Sequence, residues 1–205
     1  IYRGHSGEYL GGAEMVVYSS AVPKDNPELS AAKKSKVEIL HRADALAKII
    51  NEATGVAVAG AHGKTTTTSM LGLTLAGCGL DPTVMVGAFS DDLAGNARLG
   101  CSPYVVAEAD ESDHSFLKYT PYAAIITNVS PDHLENFGGD FCKLVEDYRQ
   151  FLDKVKPQGF SVLCTDDAIL RDMQREAKHK TYSYGFNGDA DYRAFNLEFS
   201  PNGST

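Results

Sequence analysis

The sequence predicts an α/β layer fold with a mostly parallel sheet flanked by helices, and three observations predict it. Short apolar runs rich in β-branched residues alternate with longer amphipathic stretches. One run, Val56-Ala57-Val58-Ala59, passes straight into a glycine-bounded turn and then into a helical run, in the order strand, turn, helix. Two later runs end in dense polar clusters, as expected where parallel strands deliver side chains to one edge of a sheet.

Taken along the chain, the apolar runs place strands at Met15 to Ser19, Val56 to Ala59, Thr83 to Gly87, Tyr104 to Ala109, Ala123 to Asn128, Ser161 to Cys164 and Thr181 to Gly185. The amphipathic stretches between them place helices at Asn26 to Lys34, Arg42 to Asn51, Lys64 to Gly77, Asp140 to Val155 and Asp167 to Glu176. A polar break at Ala53 to Gly55, just before a strand that starts a new unit, sets a domain boundary there. Residues 1–52 then form a partial first domain and residues 53–205 a second. The segment from Asn187 to Thr205 alternates polar and apolar residues around turn-forming breaks, which reads as small antiparallel strands or a sheet edge. No internal repeat or low-complexity segment is present.

With 205 residues, 43% of them hydrophobic, the chain can bury a sizeable core. A net charge of -8 argues against a broad nucleic-acid interface, which needs a basic face to release counterions. No apolar stretch approaches the roughly 20 residues that span a bilayer. Cys78, Cys101, Cys142 and Cys164 are widely spaced without a C-x-x-C pair, so they read as reduced structural thiols rather than zinc ligands or disulfides. No basic and apolar leader precedes Ile1, which fits a cytoplasmic protein, although the chain also reads as starting inside a domain.

The turn is Gly60-Ala61-His62-Gly63-Lys64-Thr65-Thr66, and it opens into a helix. Its glycines allow the backbone N–H groups to aim at phosphate oxygens, and the positive end of the new helix adds to the attraction. Lys64 suits the outer phosphates of ATP or GTP, and the Thr65 hydroxyl suits magnesium. The full phosphate-loop pattern has a glycine where this chain has Val58, so the loop is a shortened form. The competing reading is a glycine turn with a helix-capping threonine cluster.

The strand at Tyr104 is followed by Glu108-Ala109-Asp110-Glu111-Ser112-Asp113-His114, a set of hard oxygen ligands suited to magnesium or a polar substrate. A solvated helix-capping loop is the alternative. The strand at Ala123 is followed by Asn128-Val129-Ser130-Pro131-Asp132-His133, in which His133 is either a ligand or a satisfied structural histidine. Because both clusters end strands of the sheet that carries the loop, they are expected to supply one magnesium site. Such a site suits phosphoryl transfer to a carboxylate, which is already ionised and needs no base.

These motifs resemble those of the Mur ligases of bacterial peptidoglycan synthesis. The resemblance runs through Ser19-Ser20-Ala21-Val22, Asp25-Asn26-Pro27-Glu28, His41-Arg42-Ala43-Asp44, Gly60 to Thr68, Glu108 to Asp113, Thr127-Asn128-Val129 and Asp132-His133-Leu134. It covers nearly the whole chain. Glu111-Ser112-Asp113 with Ser115-Phe116-Leu117 resembles the alanine-adding members more than the peptide-recycling members, which typically carry tyrosine in place of Ser112. Folylpolyglutamate synthetases share the loop but little else.

The resemblance implies a Rossmann-like UDP-sugar domain, of which residues 1–52 are the latter part, and a central ATP-binding domain, of which residues 53–205 are most, incomplete at the C-terminal end. A C-terminal domain that completes the ATP and amino-acid sites is absent, so this chain by itself is expected not to complete turnover. The implied reaction joins L-alanine to the lactyl carboxylate of UDP-N-acetylmuramate through an acyl phosphate, with ATP and Mg2+. The implied roles place Lys64 on the β- and γ-phosphates, Thr65 and Glu108 on magnesium, His133 on a second metal, and Asn128, Ser112 and Ser115 near the muramic acid. Ser19, Ser20 and Arg42 either face the UDP moiety or cap and pack. Lys64→Ala is expected to abolish ligation with little loss of folding. Peptide recycling, or a nucleotide-binding module without catalysis, stands as the alternative.

Overall fold

The computed structural model describes residues 1–112, 114–200 and 203–204. In chain order the elements are β1 (Met15–Tyr18), α1 (Pro27–Lys34), β2 (Glu38–His41), α2 (Arg42–Glu52), β3 (Thr54–Ala59), α3 (Lys64–Gly77), β4 (Thr83–Ser90), β5 (Gly95–Arg98) and β6 (Tyr104–Glu108). There follow β7 (Ala123–Ile126), α4 (Phe141–Asp153), β8 (Phe160–Cys164), α5 (Ala168–Glu176), β9 (Lys180–Gly185), β10 (Tyr192–Arg193), β11 (Phe199–Ser200) and β12 (Gly203–Ser204). Short 3-10 turns occupy Gly7–Leu10, Ser115–Lys118 and Leu134–Phe137. The chain divides into two compact units, Ile1–Ile49 and Ile50–Thr205.

In the first unit β1 and β2 pair in parallel, with Val16 opposite Ile39. Helix α1 starts where Asn26 accepts from the N–H groups of Glu28 and Leu29 and Pro27 fills the first turn, a position where no N–H is needed. Strand β2 is absent from the sequence expectations because a four-residue segment flanked by Glu38 and His41 carries little apolar signal. The strand expected to reach Ser19 ends at Tyr18.

The second unit is built on one sheet in the order β10-β9-β8-β7-β3-β6-β4-β5. All of its pairings are parallel except β4 with β5. Strand β3 lies in the middle, and Ala57, Val58 and Ala59 are fully buried, as parallel sheets require when helices cover both faces. Helix α4 buries Leu144, Tyr148, Phe151 and Leu152, a stripe at helical spacing. Phe116 packs into that stripe, stacked on Phe151 at 5.0 Å and edge-on to Tyr148 at 5.5 Å. Asp140 and Asp167 cap α4 and α5, and so lie one residue outside the helices expected to begin with them. Helix α4 stops at Asp153, short of Val155.

Strand β5 is the second unexpected element, because Gly95-Asn96-Ala97-Arg98 has no β-branched residue and is held by its pairing with β4. At the other edge β10 runs parallel to β9, and β11 and β12 form a separate antiparallel pair. The expectation of antiparallel strands or an edge over Asn187 to Thr205 therefore meets both, with residues 201, 202 and 205 outside the described residues. All four cysteines are free, but Cys78, Cys101 and Cys142 are exposed, which corrects their reading as structural thiols.

Candidate functional site

The order of the central strands decides where side chains converge. From β3 the chain returns through β4 to β6 on one side and then crosses to β7 on the other, so β3 sits at the point where the winding reverses. Ligands of open α/β sheets gather outside the carboxyl ends of strands at such a point. Register brings the three ends level, with Val58 opposite Glu108 and Ala59 opposite Ile126. Backbone bonds extend the match past the strands, from Ala109 N–H to Val58 O at 2.8 Å and from Thr127 N–H to Ala59 O at 3.1 Å.

Gly60 leaves β3 with φ 131°, a conformation that side chains rarely adopt, and a Cβ there would lie 2.1 Å from the Thr127 hydroxyl oxygen. Gly63 is left-handed at φ 81° and starts α3 as an N-cap without a side-chain bond, so side chains do not occupy the first N–H groups of the helix. The turn is stitched from β7's end. Asn128 Oδ1 accepts from His62 N–H at 2.9 Å while its Nδ2 donates to His62 O at 2.9 Å. The Thr127 hydroxyl donates to the same His62 carbonyl at 2.6 Å. The strand expected to run to Asn128 ends at Ile126, and the side chains of the next two residues hold the loop. His62 Nε2 reaches Asp132 Oδ2 at 3.1 Å.

Lys64 folds back over the turn. Its ammonium donates to Gly60 O at 2.8 Å and to both oxygens of Glu111, at 3.1 and 3.0 Å. Glu111 is only 1% exposed. Thr65 donates to Glu108 Oε2 at 3.0 Å, and the same oxygen accepts from Gly87 N–H at 2.8 Å. Thr65 and Glu108 thus meet beside the loop, which supplies one hydroxyl and one carboxylate to the space above the sheet.

The other residues singled out by sequence are placed differently. Ser112 N–H bonds Asp110 Oδ1 at 3.0 Å in a turn, and the Ser115 hydroxyl donates to Asp110 O at 3.4 Å. Asp113 lies outside the described residues. His133, left-handed at φ 54°, has Nδ1 3.6 Å from Glu135 and a half-exposed side chain. Among the described residues no three His, Cys, Asp or Glu side chains group to hold a metal ion. In the first unit the Ser20 hydroxyl lies 3.0 Å from His41 Nε2, and His41 Nδ1 accepts from Ala43 N–H at 3.3 Å.

Sequence reasoning did not single out Glu111 as the partner of Lys64, nor Thr127 and Gly87 as supports. Nothing in the spacing of four carboxylates says which one turns inward. The fully buried Phe116 and the backbone bond from Phe116 N–H to Asp110 O anchor the chain just after Glu111.

A family model described as the Mur ligase middle domain matches residues 58–205, and one described as the catalytic domain of the Mur ligase family matches residues 1–54. The UDP-N-acetylmuramate–L-alanine ligase of Symbiobacterium thermophilum is 44% identical over 198 residues, covering 94% of this chain and 41% of that protein. The crystal structure of the UDP-N-acetylmuramate–alanine ligase MurC of Thermotoga maritima matches with a TM-score of 0.70 at 30% identity, over 95% of this chain and 43% of that one. The MurF ligase of Thermotoga maritima, solved with ADP, shares the fold at a TM-score of 0.66 and 20% identity, over 92% of this chain and 51% of that one. The chain thus spans about two fifths of the length of the two alanine ligases. With the middle-domain model matching well over half of it, on a parallel sheet whose central strand feeds a glycine-bounded turn, the chain belongs to the Mur ligase family.

Proposed function

We propose that this chain is the nucleotide-binding portion of a cytoplasmic, ATP-dependent ligase that joins L-alanine to the lactyl carboxylate of UDP-N-acetylmuramate in peptidoglycan synthesis. The observation that carries this reading is the junction of β3 and α3. There a glycine turn with an uncapped helix start, a lysine and a threonine sits level with a carboxylate from the adjacent strand. The 44% identity to an alanine ligase supports the substrate. The described residues contain no helix long and apolar enough to cross a membrane.

Residues 53–205 would be the central ATP domain and residues 1–52 part of the UDP-sugar domain. The loop N–H groups and Lys64 would hold the nucleotide phosphates. Magnesium fits Thr65 and Glu108, because it keeps several waters and takes one or two carboxylates with phosphate oxygens rather than a full protein cage. When bound it would neutralise charge on the phosphates. A carboxylate oxygen of the muramyl substrate attacks the γ-phosphorus and ADP leaves. The alanine amine then adds to the acyl carbon, loses a proton, and phosphate departs. Lys64 balances the charge on the transferred group, while Asn128 keeps the loop in shape through His62. Ser112, Ser115 and His133 remain candidates for the sugar side and a second metal.

The test is ligation by a protein of the relatives' full length that carries these 205 residues. It would be supplied with ATP, magnesium, UDP-N-acetylmuramate and a mixture of L-alanine and the recycled tripeptide. A product heavier by one alanine is expected, and a product heavier by the tripeptide would reject this reading in favour of recycling.

A further inference from the structure

Two buried polar groups near the loop have no part in the reaction described above. Glu111 is 1% exposed, and Lys64 is the only donor to its carboxylate among the described residues. Tyr148, on α4, is fully buried, and its hydroxyl has no hydrogen-bond partner among the described residues. Phe116, five residues beyond Glu111, packs edge-on against the Tyr148 ring. Burial, and after it the charge of Glu111 ahead of those of Asp110, Asp132 and Asp167, pushes the Tyr148 phenol well above its usual range. Its proton is therefore held, and the hydroxyl keeps a hydrogen to donate.

A buried carboxylate that loses its single donor is costly, as is a buried hydroxyl with no acceptor. The lysine that should meet phosphates is bound to Glu111 and to the Gly60 carbonyl. Moving it to a nucleotide would leave both Glu111 and Tyr148 unsatisfied unless they satisfy each other.

We propose that Glu111 is a latch that holds Lys64 back in the nucleotide-free chain, and that the Tyr148 hydroxyl becomes the donor to Glu111 when Lys64 swings to the nucleotide phosphates. This rests on the reading of the loop as a nucleotide site. Glu111 is a positioning residue in this scheme, setting how readily the loop lysine is surrendered. Two consequences have opposite signs. Removing the negative charge frees the lysine and tightens nucleotide binding, whereas removing the waiting donor makes release harder and loosens it.

The experiment titrates a protein of the relatives' full length that carries these 205 residues with a non-hydrolysable ATP analogue and magnesium, following heat of binding. Glu111→Gln, nearly isosteric, is expected to tighten binding about tenfold. Tyr148→Phe, which removes only an unpartnered oxygen, is expected to weaken it about threefold, and to have no effect when Glu111→Gln is also present. A merely structural role for Glu111 would loosen binding on substitution, so weaker or unchanged binding by a folded Glu111→Gln chain overturns the latch. If Glu111→Gln does not fold, Tyr148→Phe decides alone, and unchanged affinity overturns it. Absence of binding by the unaltered chain overturns the nucleotide reading itself and the latch with it. Binding by the unaltered chain that neither variant changes overturns the latch only.

Discussion

Replacing Gly60 with alanine tests whether the shortened loop is a conformational requirement or a composition effect. At φ 131° a residue with a Cβ is strained by about 1–3 kcal/mol. The added methyl would also lie 2.1 Å from the Thr127 hydroxyl, which must then swing away from the His62 carbonyl it bonds at 2.6 Å. Losing that bond adds about 1 kcal/mol. The sum, about 2–4 kcal/mol, corresponds to a fall in melting temperature of roughly 2–4 °C per kcal/mol for a chain of this size. Urea unfolding followed by far-ultraviolet circular dichroism measures the cost, and nucleotide titration measures the loss of the loop. Thr127→Ala separates the two contributions. Alone it should cost about 1 kcal/mol, but combined with Gly60→Ala it should cost less than the sum by about 1 kcal/mol, because the clash goes with the hydroxyl. A Gly60→Ala chain within about 0.5 kcal/mol of the original, or strict additivity in the double variant, would refute the reasoning.

The remaining expectations concern neighbouring positions. Lys64→Ala should abolish ligation, and the buried pair with Glu111 adds a cost to folding that the sequence pattern offers no reason to expect. The substitution takes the ion-pair partner from the buried Glu111 carboxylate and leaves it the Tyr148 donor, so unfolding should show a loss below the roughly 3–5 kcal/mol of an uncompensated buried charge, mostly recovered when Glu111→Gln is added. Glu108→Gln should lower the magnesium-dependent part of nucleotide affinity roughly 10–100-fold while leaving metal-free binding nearly unchanged; equal losses with and without magnesium would count against it. Gly72→Ala sets the helix preference for alanine, about 1 kcal/mol, against a Cβ 2.5 Å from Val84 Cγ2, and overpacking of about 1–3 kcal/mol should win; Val84→Ala should then restore stability, as thermal melts can show. Burial pushes the His179 imidazole below its ordinary 6.5, with Asp153 opposing, so the folded state resists protonation. Its contribution is fully present above about pH 6.5 and is lost as pH falls through the lower folded value. Between about pH 7.5 and about pH 5.5 the original chain should lose more stability than His179→Gln, and equal losses would refute the assignment.

The sequence by itself determined the fold class and the chemistry of the loop, because both depend on local pattern. Val56 to Ala59 is too apolar for anything but a buried strand, and the glycines of Gly60 to Gly63 leave few other backbone courses. Helix α3 ran from Lys64 to Gly77, as its composition implied. Only the tertiary structure decided which polar residues cooperate. The register of β3 with β6 and β7 set Glu108 beside Thr65 and turned Thr127 and Asn128 onto the loop. Strand β5 exists because β4 offers it an open edge, not because its own residues favour extension. His133 and Glu108 belong to strand ends of one sheet in sequence logic, and the structure sets His133 Nδ1 3.6 Å from Glu135 and Glu108 against Thr65. Glu111 gave no sign of its role among the carboxylates around it, for its burial and its hold on Lys64 arise from contacts across 47 residues of chain that no local pattern encodes.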